Sequence, residues 1–354
     1  MILRVMKNSA LSAKIHAMSG TALHQRDYDA LMRLHTVPAV AAYLKENTRY
    51  QNALKDAVTT TLHRGRLEQL LHSQILTDIL ALLHYTDTGS TFFLKALEMQ
   101  DGIEKLKVFL RLLHIGHPEQ ITKTATDFPL GNKQVKVEDL AQITTFSALM
   151  DLIKPTPYHQ ALRSFSGDPK RQELFYLEVA LDSYWAQLIH RYAKKYLSSE
   201  EAKLALKLYG TEADLNNLIF LLRCKERFQM TQEEIYACII PIYYRLTEQI
   251  ITEIVTCPSV NDAFKIIHEK TPYGLAFHEN DRFLEKRKNE YMVQMYRRIG
   301  ALHPYSIQAA ISYVHLRRIE INNIVSIIEG IRYGLKPEQI SEYLIGYSKE
   351  EVES

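Results

Sequence analysis

Apolar residues recur along this chain at helical spacing. In Asp214–Arg223, Leu215, Leu218, Ile219 and Leu222 fall at i, i+3, i+4 and i+7, the stripe of a helix that faces a core. Thr231 then offers a cap oxygen and Glu234 stands three residues on, the capping-box pattern of a new helix start. Across Glu173–Leu197, seven apolar or aromatic positions from Leu174 to Tyr192 share one face and predict a helix of about 36 Å. Ile321–Ile331 repeats the pattern through Ile324, Val325 and Ile328, with Gly334 placed to stop it before Pro337. The one strand-like run is Gln134–Val137, inside a linker at His114–Asp139, and Ser164–Arg171 reads as a Ser/Gly/Asp-Pro turn. The pattern predicts an all-α fold.

The same grammar occurs three times. An apolar helix ends in Thr-x-Tyr at Thr48–Tyr50, Thr156–Tyr158 and Thr271–Tyr273. Leu-Glu opens a charged helix at Leu67-Glu68, Leu177-Glu178 and Leu284-Glu285. Ile103–Arg111 (IEKLKVFLR), Leu215–Arg223 (LNNLIFLLR) and Ile321–Glu329 (INNIVSIIE) align, and each is followed by a restart at Pro118, Thr231 or Pro337. From the Leu-Glu glutamate to the end of the aligned stretch the spacing holds at about 44 residues, and the unit recurs at about 110. Fixed order at nearly fixed spacing predicts three helical repeats, at residues 1–122, 123–240 and 241–354. Solenoid units are usually about 20–45 residues, so repeats this large are expected to close as three wedges around an axis and enclose a cavity. Tyr50, Tyr158 and Tyr273 are expected to be half-buried anchors between successive copies, their hydroxyls reaching water.

Composition narrows the function. The 354 residues are 46% hydrophobic and 24% charged, as in a water-soluble globular protein, and a formal charge of +2 gives no footprint for nucleic acid or an anionic bilayer. No run of about 18 apolar residues is present, since Ile235–Val255 is interrupted by Pro241, Arg245, Glu248 and Glu253. The amphipathic start, Met1–Met18, reads as a folded helix rather than a targeting segment. Cys224, Cys238 and Cys257 lack CxxC spacing and read as free thiols in a reducing compartment.

Catalytic signatures are missing: no phosphate loop, no GxGxxG after a strand, no GxSxG and no HExxH. His114 and His117 are separated by a glycine and lack a third ligand, and His278–Asp281 reads as the polar edge of the helix starting near Arg282. Glu178 and Asp182 share a helix face, which suits acid–base or divalent-ion chemistry, but the first copy carries His72 at the second position, which favours a structural pairing. Arg111, Arg223 and Lys225 follow apolar helices near their C-termini, where cations complement the helix dipole. Together with Arg332 they are the candidate partner-binding residues, read alternatively as a ring of positive charge around the axis. No residue is assigned to catalysis, a cofactor, a metal or nucleotide binding.

Several stretches resemble one family: AKIHAMSGTALHQRDYDALMRL near the N-terminus, LKENTRY, DLNNLIFLLRCK and EINNIVSIIEGIRYGLKPEQISEYLI. Together they are similar to the C subunit of V/A-type ATPases, whose eukaryotic counterpart is the d subunit, over nearly the whole chain. The resemblance implies a funnel-shaped, pseudo-threefold, all-helical rotor piece without catalysis of its own. It would sit peripherally on the cytoplasmic face of the membrane proteolipid ring and receive the D and F subunits of the central stalk in its socket, coupling ATP turnover to proton or sodium transport. The alternative is a stand-alone helical scaffold that takes a partner helix in its concavity.

Overall fold

In a computed structural model the regular structure among the described residues is helical, apart from one short hairpin. The structure describes residues 2–124, 128–130, 133–165, 173–226, 230–278 and 281–347. In chain order the first helices are α1 (Ile2–Ser19), α2 (Gln25–Met32), α3 (Val37–Asn47), α4 (Arg64–Leu83), α5 (Thr88–His114) and the short α6 (Ile121–Thr124). Strands β1 (Phe128–Leu130) and β2 (Lys133–Val135) pair antiparallel, with Phe128 opposite Val135. Then follow α7 (Val137–Ala141), α8 (Phe146–Ile153), α9 (Pro157–Leu162), α10 (Leu174–Tyr196), α11 (Ser199–Glu226) and α12 (Gln232–Cys238). The chain finishes with α13 (Glu248–Thr256), α14 (Val260–Lys270), α15 (Leu284–Leu302), α16 (Ile307–Arg332) and α17 (Pro337–Ser341).

Helix starts follow the side-chain chemistry. Thr36, Thr145, Thr247 and Ser259 each accept the backbone N–H three residues on, opening α3, α8, α13 and α14. Thr231 and Glu234 form the reciprocal capping box of α12, as their spacing predicts. The stop after α16 is also as expected: Gly334 takes φ +68, and the Leu335 N–H returns to the Gly330 carbonyl. The aligned stretches that begin at Ile103, Leu215 and Ile321 are the C-terminal halves of α5, α11 and α16, helices of 27, 28 and 26 residues.

The chain forms two compact units. One combines residues 1–91 with 285–354, and the other is residues 92–284. In the first, α16 packs against α4 and α1, and Leu67, Leu71, Ile311, Val314 and Ile324 are buried. In the second, α10 packs along α11 with Leu177, Leu181, Leu208, Leu215 and Leu222 buried, and α14, with Phe264 and Ile267 buried, packs against α11. Burying side chains of this kind stabilises by about 1.5–3 kcal/mol each. Gly210 allows Tyr244 to lie directly on α11: a Cβ there would stand 2.8 Å from the Tyr244 Cβ. No helix among the described residues is long and apolar enough to cross a membrane.

Candidate functional site

The Thr-x-Tyr tyrosines are the best-built polar features of the molecule. Tyr50, Tyr158 and Tyr273 are 1%, 0% and 1% exposed, so they are core residues and not the half-buried, water-reaching anchors expected from the sequence. A phenol removed from water needs a partner, and each has one on a long helix. Tyr50 Oη donates to Glu320 Oε1 on α16 at 2.8 Å. Tyr273 Oη donates to Asp214 Oδ2 on α11 at 2.7 Å. Tyr158 Oη donates to the Met99 carbonyl on α5 at 2.9 Å. The two carboxylates hold the same place in the aligned stretches, immediately before Leu215 and Ile321, while α5 has Gly102 there.

Around Glu320, in the first unit, lies a buried ionic cluster. Arg317 Nη1 donates to both Glu320 oxygens at 2.7 and 2.8 Å, and Arg317 Nη2 donates to the Met18 carbonyl at 2.6 Å. The Leu23 N–H donates to Glu320 Oε2 at 2.8 Å. Arg317 Nε reaches Tyr313 Oη at 3.1 Å, and Tyr313 Oη donates to Asp78 Oδ2 at 2.7 Å. Asp78 in turn accepts a forked pair of bonds from Arg49 Nη2 at 2.7 and 2.8 Å. Side-chain exposure is at most 9% in both ion pairs. Burial works against the Arg317 charge, but Glu320 and Tyr313 overcome it and raise its pKa. Burial, then the Glu320 charge, drives the Tyr50 phenol far above its ordinary range, so it stays a donor.

Asp214 in the second unit is handled without a cation. Its carboxylate accepts the backbone N–H groups of Tyr244, Arg245 and Leu246 at 3.1, 2.6 and 3.0 Å, besides the Tyr273 hydroxyl. Burial pushes its carboxyl upward, and the four donors oppose that shift. One turn on, Asn217 brackets Ile240, donating to its carbonyl at 3.0 Å and accepting its N–H at 2.9 Å. Asn323 brackets Ile345 identically, at 3.0 and 2.8 Å. These asparagines pin the irregular backbone that follows α12 and α17.

The four candidate partner-binding residues all have neighbours within the chain. Arg111 makes a forked pair with Glu178 at 2.6 and 2.9 Å. Lys225 donates to the carbonyls of Val255 and Cys257 at 2.7 and 2.6 Å, capping the end of α13 rather than its own helix. Arg332 lies 3.2 Å from Glu329, one turn back on α16. Arg223 is exposed on the last turn of α11. The carboxylate pair on α10 is matched cation for anion from α5: Arg111 on Glu178, and Lys107, which also meets Glu104 at 3.2 Å, on Asp182. That is the structural pairing the His72 replacement favoured.

His117 Nδ1 lies 3.3 Å from Glu119, and the His268 and His278 rings are 6.5 Å apart; Glu279 and Asn280 lie outside the described residues. Among the described residues no three His, Cys, Asp or Glu side chains converge as a metal ion requires. Cys224 and Cys238 are buried free thiols, each pushed up to about 11 by burial, which keeps them protonated. The arrangement as a whole fastens helices and irregular segments together; among the described residues it contains no assembled acid, base and nucleophile.

Sequence reasoning missed the Arg49–Asp78–Tyr313–Arg317–Glu320 cluster, whose members lie up to 271 residues apart. The one local signal was Arg317 and Glu320, an i, i+3 ion pair set within the apolar run of α16.

A family model described as ATP synthase (C/AC39) subunit matches residues 11–343. The C subunit of the A-type ATP synthase from Methanocaldococcus jannaschii is 24% identical over 83% of this chain and 73% of its own length. The protein of that name from Methanosarcina barkeri is 22% identical over 94% and 91%, and that from Archaeoglobus fulgidus 21% over 94% of each.

Proposed function

The chain belongs to the ATP synthase (C/AC39) subunit family, a family of accessory subunits of rotary ATPases, and on that premise we propose that it is a non-catalytic rotor piece. In this reading it is a funnel of three wedges, at residues 1–122, 123–240 and 241–354. It seats the D and F subunits of the central stalk on the membrane proteolipid ring, at the cytoplasmic side, and carries torque for ATP-linked proton or sodium transport. Arg111, Arg223, Lys225 and Arg332 are proposed contacts of that socket through their guanidinium and ammonium groups.

The observation that carries this reading is the cyclic order of the tyrosine joints. Tyr158 bonds the long helix of the first proposed copy, Tyr273 that of the second, and Tyr50 that of the third. If the chain is three copies, each is anchored to the one before and the first to the last, an order that supports a closed ring over an open stack. Torque transmission needs such a ring to be stiff, and buried, fully bonded joints between helices of about 40 Å supply stiffness. Contacts to shaft and ring then rest on shape and charge complementarity, because partners of different symmetry cannot match residue by residue.

The test is to delete this chain and measure whether the stalk proteins still co-purify with the membrane rotor and whether ATP-driven ion transport persists. Loss of both, with ATP hydrolysis retained by the soluble sector, is expected. Unchanged co-purification would overturn the socket and favour a stand-alone scaffold.

A further inference from the structure

The second unit contains a groove of about 920 Å³ bounded by α9, α10 and α12. Its floor is one face of α10: Tyr176, Val179, Ala180, Ser183, Tyr184 and Gln187, at i, i+3, i+4, i+7, i+8 and i+11. At ~1.5 Å per residue that face runs about 16 Å, three helical turns. Its middle is small (Val179, Ala180, Ser183) and is flanked by Tyr176 and Tyr184, with Gln187 a turn beyond, so a rod can approach closely at the centre and be bracketed on either side. The walls add Ala161 and Phe165 on one side and Ala237 and Cys238 on the other.

Charge within the groove is lopsided. Among the described residues Glu173, Glu233 and Glu234 line it against one cation, Arg163. The Tyr176 hydroxyl has its pKa raised by burial and then by the charge of Glu234, with Cys238 and Glu173 adding to it. Glu234 spends one oxygen on the Thr231 N–H, while Glu233 and Glu173 are exposed on the rim. A small polar ligand would need convergent buried donors, whereas Gln160, Ser164, Ser183, Gln187 and the three carboxylates are spread along the groove. A three-turn apolar trough with an acidic rim is complementary to a helix with an apolar i, i+3, i+4, i+7 stripe and basic flanks.

We infer that this groove seats an amphipathic helix of a partner protein whose apolar stripe lies on α10 and whose Lys or Arg residues meet Glu173, Glu233 and Glu234. The inference does not rest on the socket reading, since every residue it uses lies within the second unit.

The probes are two labelled helical peptides of about 15 residues, long enough to hold a helix. Both have an Ala/Leu stripe; one carries lysine flanks and the other glutamate flanks. Fluorescence anisotropy against the full chain is expected to show binding of the lysine peptide only, weakening as salt is raised. Ala180→Trp, which fills the floor, and the exposed double variant Glu173→Lys/Glu233→Lys, which leaves the Thr231–Glu234 capping box intact, are each expected to weaken it at least about tenfold. The charge variant guards against misfolding in the floor variant, and circular dichroism checks both. Equal binding of the two peptides, no binding of either, or undiminished binding by the charge variant would overturn the inference. Concentration-dependent self-association that Ala180→Trp abolishes would overturn it in favour of a second copy of this chain.

Discussion

Glu320 in the first unit and Asp214 in the second occupy the same register on their long helices, and each accepts a buried tyrosine hydroxyl, yet their charges are neutralised differently. Glu320 is held by a guanidinium, Arg317, which is itself tied to Tyr313 and the Met18 carbonyl. Asp214 is held by three consecutive backbone N–H groups. The joint at Tyr158 dispenses with charge: Gly102 stands where the acid would be, and a main-chain carbonyl accepts the phenol. What the joints share is a buried tyrosine that reaches a long helix. What varies is the electrostatic solution, and with it the cost of breaking each joint.

The largest effect is expected at the cation. Arg317→Met leaves Glu320 buried without its counter-ion and should destabilise the first unit by about 4 kcal/mol. Hydrogen exchange resolved by unit should show faster exchange in residues 1–91 and 285–347, with 92–278 unchanged. Replacing Arg317 and Glu320 together with Met and Leu should cost much less, because no lone charge is left behind. Equal losses for the single and double variants would mean that packing, not charge, governs this joint.

Asp214→Asn should come next, at about 3 kcal/mol in the second unit. The amide keeps one acceptor oxygen but turns an NH₂ toward amides that also donate. The expected signature is loss of exchange protection at Tyr244, Arg245 and Leu246, the three amides it holds. Protection retained there would show that the segment is fixed by Asn217 and by packing on Gly210.

Removing the hydroxyls alone ranks the joints directly. Tyr50→Phe and Tyr273→Phe each strand a carboxylate lone pair and should cost about 2 kcal/mol, as bonds to charged groups do, whereas Tyr158→Phe breaks a neutral bond and should cost about 1 kcal/mol. Denaturant midpoints at constant slope give the order. Tyr158→Phe costing the most would reverse the comparison.

The helices and the recurring motifs were legible because their signals are local: the spacing in α10, the Thr231–Glu234 capping box and the Gly334 stop each sit within one or two turns. The joints were only half legible. Thr-x-Tyr marked where they are, but tyrosine suits a half-wet surface as well as a core, and the difference lies in acceptors 59 to 270 residues away. Placing a cation at a helix end takes account of a residue's own helix alone. Lys225 shows the limit of that reading, since the carbonyls it caps belong to α13 and its C-terminal flank. Asn217 and Asn323 recur at matching positions for a backbone reason, to bracket Ile240 and Ile345, and that reason lies in irregular segments without periodicity.

A further effect, of the same order as the loss of a single hydroxyl, separates the units by pH. His315 on α16 is buried and stacked on Tyr296, with ring centroids 4.5 Å apart and planes 2° from parallel. Burial, and then the Arg318 charge, hold its pKa well below the ordinary histidine value, so it is neutral in the folded chain. An unfolded histidine takes up a proton near pH ~6.5. The contribution of His315 is therefore complete above about pH 6.5 and is lost as pH falls toward the folded value, because the unfolded state then binds more protons. Asp214 runs the other way. Its carboxyl is raised by burial, so its contribution is complete below about pH 3.9 and is lost as pH rises through the folded value. Between about pH 7.5 and 5.5 the first unit should lose about 1.4 kcal/mol through His315. Urea titrations at the two pH values, read by exchange protection in each unit, check this. His315→Phe should flatten the pH response of the first unit while leaving the second as it was, and an unflattened response would place the titrating group elsewhere.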